Sequence, residues 1–83
     1  MNETEKISEV YANALTITNT FFDFSLKFMK ENIIEQNGEQ KKELNDVALV
    51  RMSPQMAKAL YTLLQNNVQK YEKTYGEIPV YVK

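Results

Sequence analysis

Residues 47–76, VALVRMSPQMAKALYTLLQNNVQKYEKTYG, decide the fold, because an apolar strand runs directly into a long amphipathic helix. Residues 47–52 have the composition of a strand. Ser53-Pro54 begins the helix, since serine caps a helix N-terminus and proline is favoured at its first position. The helix is predicted over residues 53–75, with Gly76 as its C-terminal cap. One side carries an apolar stripe made of Ala57, Leu60, Leu64, Val68, Tyr71 and Tyr75, widened by Met56, Tyr61 and Leu63.

Two further strands are predicted before this unit. Residues 21–28, FFDFSLKF, alternate between apolar and polar side chains, as a half-buried strand does. Residues 7–18, ISEVYANALTIT, are rich in β-branched and aromatic residues and also favour a strand, after which Asn19-Thr20 indicates a turn. The apolar face of the second strand holds Phe22, Phe24, Leu26 and Phe28. In the first strand Tyr11, Leu15 and Ile17 fall on one face, and Val10, Ala12 and Ala14 on the other.

The stretch between the second and third strands, residues 30–46, has two readings. Asn37-Gly38 is a strong signal for a two-residue hairpin turn of type I′. The alternative is a mobile charged loop between shorter strands. If the hairpin forms, residues equidistant from the turn pair with one another and build one apolar face. The expected pairs are Leu26 with Leu49 and Phe28 with Val47.

Four glutamates recur at every fourth residue in and beside this stretch. That spacing fits one face of a helix, or a carboxylate cluster that holds a hard metal ion. Gly38 interrupts any such helix, and Lys41 and Lys42 neutralise part of the charge. We therefore expect solvated side chains, with no metal or other cofactor. The four are Glu31, Glu35, Glu39 and Glu43.

The sequence thus predicts an α+β fold. A small antiparallel sheet of three or four strands is followed by one long C-terminal helix packed on one face. The whole chain, residues 1–83, is expected to form a single domain. Its parts are a frayed start over 1–6, antiparallel strands within 7–52, the helix over 53–75 and an extended tail over 76–83.

A homodimer or larger oligomer is expected on two grounds. A three-stranded sheet has two free edges, which small proteins must protect or pair. The helix covers only one face of the sheet, whereas several apolar side chains of the first and third strands cannot all lie on that face. These residues are Tyr11, Leu15, Ile17, Val50 and Met52.

Composition argues against several classes of function. The chain has no Cys and no His, which removes thiolate metal sites, cysteine nucleophiles and Ser-His-Asp triads, and we do not expect an enzyme. The formal net charge is −1, whereas nucleic-acid binding depends on clustered Lys and Arg. No apolar run reaches the length of a membrane span and no signal peptide is recognisable, so a cytoplasmic protein is expected.

Six residues are candidate contacts with a protein partner. Asn13 is unusual within a strand and indicates a bulge, an edge or a partner contact. Arg51 is expected to pair with Asp23 or Glu9, or with a carboxylate of a partner. Tyrosines on the helix fit packing or an interface better than a ligand site. The six are Tyr11, Asn13, Arg51, Tyr61, Tyr71 and Tyr75.

Two features have both a chemical and a structural reading. The phenylalanines of the second strand could stack RNA bases, but no basic residues surround them, so we assign them to the core. Ser53 could be a nucleophile, but the proline that follows it favours a helix cap.

Two segments, VYANALTI…FFDFSLKF and VALVRMSPQMAKALYTLLQNNVQKYEKTYGEI, resemble the prokaryotic family known as domain of unknown function 3467, over residues 10–78. The resemblance implies a strand-strand-strand-helix unit and implies no activity. Members of that family often carry His after Ser-Pro-Gln and in the first turn. Met56 and Asn19 stand at those places, so no role of such a His transfers. The specific matches are Tyr11-Ala12-Asn13, Ser53-Pro54-Gln55, Ala57-Lys58 and Asn67…Tyr71-Glu72…Gly76.

The leading functional hypothesis is a non-catalytic, oligomeric protein-interaction module, with a chaperone-like or adaptor role toward an unidentified protein. Subunits of the SecB-type export chaperones are similar in having antiparallel strands followed by a long helix, which is a likeness of architecture only. The alternative is a small inhibitor from a phage or mobile element that blocks a host enzyme. An RNA-binding module is the third hypothesis.

Overall fold

The computed structural model describes residues 6–80 and contains three strands and one helix in that range. Strand β1 spans Ala14–Asn19, β2 spans Phe24–Gln36, β3 spans Glu39–Met52, and helix α1 spans Pro54–Tyr75. The strands form one antiparallel sheet in the order β1-β2-β3. The α+β prediction is confirmed, with three strands in the described range. Residues 1–5 of the start predicted to be frayed, 1–6, and residues 81–83 of the predicted tail lie outside the described residues.

Strands β2 and β3 form a long hairpin, which confirms the hairpin reading over the mobile loop. Asn37 and Gly38 connect the strands and have φ values of 56° and 78°. Positive φ at both central residues is what a type I′ turn requires, and Asn and Gly tolerate it best. The first pair beside the turn is Gln36 with Glu39.

The hairpin has two parts, divided by a β-bulge. The "tip" is residues 30–36 paired with 39–45, where the sheet has only two strands. The "base" is residues 24–29 paired with 46–52, where β1 adds a third strand. After the first pair of the base the register shifts, from Met29 with Asp46 to Phe28 with Ala48, which leaves Val47 without a partner.

The bulge corrects the predicted register in the base. The tip follows the equidistant pairing expected from the turn, but Leu26 pairs with Val50 and Phe28 pairs with Ala48. The predicted partners, Leu49 and Val47, are therefore wrong. Pairing residues by their distance from the turn fails here, because it assumes equal numbers of residues in both strands and a bulge adds one residue to β3.

The bulge also resolves the apparent conflict between the faces of the sheet. Because directly paired residues share a face, one side of the base collects apolar side chains from all three strands, and we call it the inner face. Leu49, which pairs with Lys27, and Met29 lie on the opposite side. The expectation that Leu15, Ile17, Val50 and Met52 cannot share a face is wrong, whereas Tyr11 lies before β1. The inner face carries Leu15 and Ile17 from β1, Phe24, Leu26 and Phe28 from β2, and Ala48, Val50 and Met52 from β3.

The first strand is shorter than predicted, because it begins at Ala14 and not at Ile7. The second begins at Phe24 and not at Phe21. The chain reverses between them through Thr20, whose Oγ1 accepts hydrogen bonds from the backbone N–H groups of Phe22 (3.0 Å) and Asp23 (3.2 Å). A hydroxyl that binds the backbone locally favours a turn over a strand. The turn therefore lies one or two residues later than Asn19-Thr20.

The helix boundaries agree with the sequence prediction. Ser53 has extended backbone angles, and its Oγ accepts a hydrogen bond from the Met56 backbone N–H at 3.1 Å. Pro54 stands at the first position, where a missing N–H costs nothing. At the other end, the Gly76 N–H donates to the Glu72 carbonyl at 2.9 Å. No loop separates β3 from α1, so the corner at Ser53-Pro54 sets the direction of the helix.

Candidate functional site

An open apolar cleft lies between the inner face of the base and the first half of α1. Its volume is about 280 Å³. The ends of all three strands and the start of the helix meet there because the Ser53-Pro54 corner turns the chain back beside the sheet. The lining residues are Leu15, Ile17, Phe24, Leu26 and Met52 from the sheet and Ala57, Leu60, Tyr61 and Leu64 from the helix.

The helix faces the sheet across this cleft and remains largely exposed. None of the residues of α1 is buried. Ile17 on the sheet and Leu64 on the helix are each 55% exposed, although both line the cleft. Within the described range, only Leu26 (6% exposed) and Met29 (5%) are buried apolar side chains, and they lie on opposite faces of the sheet. Apolar side chains are stabilised by leaving water, at about 25 cal/mol per Å². The apolar surface that a core would bury is thus still open.

The dimensions of the chain agree with this open arrangement. Its accessible surface is 7918 Å², whereas a compact monomer of 9.7 kDa exposes about 5,100 Å². Its radius of gyration is 16.7 Å, whereas a compact chain of 83 residues has about 12 Å. The single chain therefore leaves more surface uncovered than a self-sufficient domain of its size.

The apolar stripe of the helix continues beyond the cleft. A second, shallower hollow is lined by helix residues alone: Tyr61, Leu64, Gln65, Val68 and Gln69. Further along, the rings of Tyr71 and Tyr75 lie 4.8 Å apart between centroids. Tyr61 and Leu64 line both the cleft and the second hollow. The cleft and the rest of the stripe consequently form one continuous surface.

Charged side chains lie on the outer face of the base. Arg51 Nη2 is 3.2 Å from Asp23 Oδ2, and Lys27 Nζ is 3.9 Å from Asp46 Oδ2. Lys27 and Arg51 each neighbour an inner-face residue in sequence, so they project to the opposite side. Of the two carboxylates predicted within the chain, Asp23 is the one that Arg51 contacts. The inner face of the base is thus apolar, whereas the outer face carries these charges beside Met29 and Leu49.

Asn13 extends the pairing of β1 with its side chain. Its backbone N–H donates to the Met29 carbonyl at 3.0 Å. Its Oδ1 accepts from the Glu31 N–H at 2.7 Å, and its Nδ2 donates to the Glu31 carbonyl at 3.2 Å. The side-chain amide therefore takes the place of a peptide group beside β2, next to the bulge. Within the chain, this geometry is that of a residue that extends the edge strand β1, and the predicted contact with a partner stays a prediction.

The tyrosines predicted as partner contacts do not converge on one point. Tyr11 lies before β1, outside the predicted strand face, and Lys30 Nζ is 5.8 Å from its ring centroid. Tyr61 lines the cleft, whereas Tyr71 and Tyr75 lie at the far end of the helix. All four are exposed. The helix tyrosines belong to the continuous apolar surface, and Tyr11 and Arg51 do not.

Phe21 and Phe22 form an exposed aromatic pair that the sequence prediction missed. Phe22 was assigned to the core face of a strand, but it lies in the turn and is 79% exposed, and Phe21 is 88% exposed. Their rings meet edge to face, with centroids 5.3 Å apart. The hydrogen bonds of Thr20 to this turn hold the pair in place. The sequence signal for this pair is Thr20. A threonine hydroxyl can accept hydrogen bonds from the backbone N–H groups two and three residues later, which favours a turn over a strand at residues 21 and 22.

The four periodic glutamates are divided between the two faces of the tip. Glu31 and Glu35 pair with Leu44 and Gln40 on one face, whereas Glu39 and Glu43 pair with Gln36 and Asn32 on the other. The helical reading of their spacing is therefore wrong. Over the range that the structure describes, no group of three or more acidic side chains is arranged to hold a metal ion.

In the described part of the chain, no helix has both the length and the apolar character needed to cross a membrane. Comparison with curated proteins and with solved structures gave no match. A family model described as "Protein of unknown function (DUF3467)" matches residues 2–79. Since the match covers nearly the whole chain, this protein belongs to the DUF3467 family.

Proposed function

We propose that this chain is a non-catalytic protein-interaction module that works as a homodimer or larger assembly, in a chaperone-like or adaptor role. One observation carries the proposal: a helix of 22 residues with none buried stands beside an exposed apolar sheet face. Contiguous apolar surface of this kind is typical of protein–protein interaction sites.

The non-catalytic part of the proposal is supported by composition and by the character of the cleft. The chain has no His and no Cys, the two side chains that most readily supply a base or a nucleophile near neutral pH. The residues lining the cleft are apolar apart from the hydroxyl of Tyr61. Such a surface can bind a protein by excluding water, and it offers few groups that exchange a proton or polarise a substrate.

Sedimentation velocity at micromolar concentration tests the assembly. The expected result is a species of at least twice the 9.7 kDa chain mass. A species of 9.7 kDa that persists at the highest concentration tested would contradict the proposal, because the exposed apolar surface would then not be covered by a second copy.

The adaptor or chaperone role requires a second surface that stays free in the assembly. The outer face of the tip supplies exposed apolar side chains, Ile33 and Leu44, among charged neighbours. A permanently unfolded polypeptide labelled with a fluorophore should bind if the role is chaperone-like, and the I33D/L44D variant should bind it more weakly at unchanged oligomer mass. Equal binding by the unmodified protein and the I33D/L44D variant would contradict the proposal that the tip binds unfolded chains.

A second candidate function is favoured by the aromatic pair in the β1–β2 turn. Phe21 and Phe22 project from a turn that hydrogen bonds already fix, and preorganised aromatic anchors contribute strongly to binding. This arrangement suits an inhibitor that inserts side chains into a pocket of an enzyme. The F21A/F22A variant separates the two functions, since it should keep its oligomer mass and its binding of unfolded chains but lose inhibition of any target enzyme.

A further inference from the structure

We propose that the cleft is filled by helix α1 of a second copy of this chain, and that the two helices cross antiparallel near Leu64 on a two-fold axis. This inference rests on the proposed self-assembly and specifies its surface. Each inner face would then be covered by its own helix and by that of the other copy. Four observations support the crossing: the position of Leu64, the spacing of the stripe, the charges beside it and the area available.

Leu64 occupies the position that a two-fold axis requires. In a symmetric dimer the same patch meets itself, so one residue near the centre contacts its own copy. Leu64 lies at the middle of Pro54–Tyr75 and lines both the cleft and the second hollow. Residues equidistant from it are Leu60 with Val68, and small Ala57 with large Tyr71, so the two halves of the stripe can complement one another.

The spacing of the stripe suits one helix packed against another. Within the widened stripe, which includes Tyr61, six apolar residues follow alternating intervals of four and three residues, and this keeps them on one side of a helix that packs lengthwise on a second helix. The sequence positions that follow these intervals are Ala57, Tyr61, Leu64, Val68, Tyr71 and Tyr75.

The charges beside the stripe favour the antiparallel direction. Lys58, Gln65 and Glu72 lie seven residues apart along one edge of the stripe. In an antiparallel crossing this edge meets the same edge of the other copy. Lys58 and Glu72 are six and eight residues from Leu64, so they come together with an offset of about 3 Å along the helix axis, and Gln65 lies beside Gln65. One oxygen of the Glu72 carboxylate also accepts a hydrogen bond from the Ile78 N–H at 2.9 Å. Opposite charges therefore meet at both ends of the contact.

The area left open by one chain is enough for a permanent dimer. The accessible surface exceeds that of a compact monomer by about 2,800 Å². Permanent dimers bury about 2,000–5,000 Å² in total, so an excess of this size on each of two copies is sufficient for such an interface. The near-neutral charge, −1 per chain, opposes association of two copies only weakly.

A charge exchange at residue 64 tests the crossing. Leu64→Glu places two carboxylates beside the axis, and Leu64→Lys places two ammonium groups there. Each variant alone should sediment at 9.7 kDa or unfold, because a dimer would bury two like charges next to each other in an apolar contact. An equimolar mixture should recover the dimer as a heterodimer, since the carboxylate of one copy then faces the ammonium group of the other. Asn66→Glu is the matched control, because Asn66 lies on the opposite side of the helix, and it should remain dimeric.

A second measurement does not depend on the stability of charged variants. The chain has no cysteine, so Leu64→Cys carries a single thiol. A short bis-maleimide should link two copies of the Leu64→Cys variant into a covalent dimer at least about tenfold faster than it links two copies of Asn66→Cys, because the thiols lie together only at the crossing.

The results separate this inference from the proposed function. If the unmodified protein is dimeric but Leu64→Glu also remains dimeric, or the two cysteine variants link at equal rates, the crossing is wrong and the self-assembly stands. If the mixture of charged variants stays monomeric, the crossing at Leu64 is likewise wrong. If the unmodified protein is itself monomeric at the highest concentration tested, both proposals fail.

Discussion

The base and the tip of the long hairpin are built from the same two strands, yet only the base buries any side chain. Leu26 and Met29 in the base are almost inaccessible, whereas Ile33 in the tip is 65% exposed. The tip is not poorer in strand-forming residues, since it contains Ile33, Ile34 and Leu44. The difference is that the base has β1 beside it and α1 across the cleft, and the tip has neither. Burial in this molecule is therefore decided by neighbouring elements and not by the composition of the strand.

The largest expected effect separates the base from the tip directly. Leu26→Ala removes a buried side chain of the base and should lower the free energy of unfolding by about 2–5 kcal/mol. Ile33→Ala in the tip should lower the free energy of unfolding by less than about 1 kcal/mol, because folding buries only a small part of that side chain. Chemical denaturation at one fixed protein concentration measures both, since an oligomer's stability depends on concentration. Equal losses for the two variants would contradict the division into base and tip.

The next effect is confined to the tip. Gly38→Ala places a side chain at φ 78°, where an L-residue costs about 1–2 kcal/mol. An added Cβ at this position meets no atom within 4 Å, so the cost is one of backbone conformation alone. Amide hydrogen exchange should become faster in residues 30–45 and stay unchanged in β1. Faster exchange throughout the base would mean that the two parts unfold as one unit.

A smaller effect concerns the junction between base and tip. Asn13→Ala removes both side-chain hydrogen bonds to Glu31, and the expected loss is about 1 kcal/mol because the site is exposed to competing water. In the variant, hydrogen exchange of the Glu31 amide should be faster than in the unmodified protein, whereas exchange of the Leu26 amide should change less. A Glu31 amide that remains as protected as before would show that Asn13 does not hold the edge.

The smallest pair of effects concerns the corner where β3 meets α1. Ser53→Ala should cost about 1 kcal/mol, because the Met56 N–H loses its acceptor. Lys58→Ala, at the exposed edge of the apolar stripe, should change stability by less than about 0.5 kcal/mol, because exposed charge pairs contribute little. Thermal unfolding of both variants gives the comparison. A Ser53→Ala protein of full stability that has lost a specific activity would make Ser53 a functional hydroxyl and would reopen catalysis.

The elements with strong local signals were predictable. Ser53, Pro54 and Gly76 mark the helix, and Asn37-Gly38 marks the hairpin, because each of these residues acts on its own backbone. The bulge at Val47 was not predictable from alternation, since one unpaired residue changes the register without changing the composition. The open cleft was also not predictable. An apolar stripe shows that a helix face will be covered, but the sequence does not show whether the same chain covers it.

The unpaired Val47 affects the side of the sheet on which the helix lies, because the helix begins at the Ser53-Pro54 corner just after β3. The turn at Asn37-Gly38 fixes which residues of β3 face inward in the tip, and the bulge reverses that assignment in the base. If Val47 were paired, Arg51 would point into the cleft and Met52 would point away from it. The helix begins just after Met52, so it would leave the sheet on the charged side and its apolar stripe would face the wrong surface. A single residue that makes no pair therefore determines on which side of the sheet the helix lies.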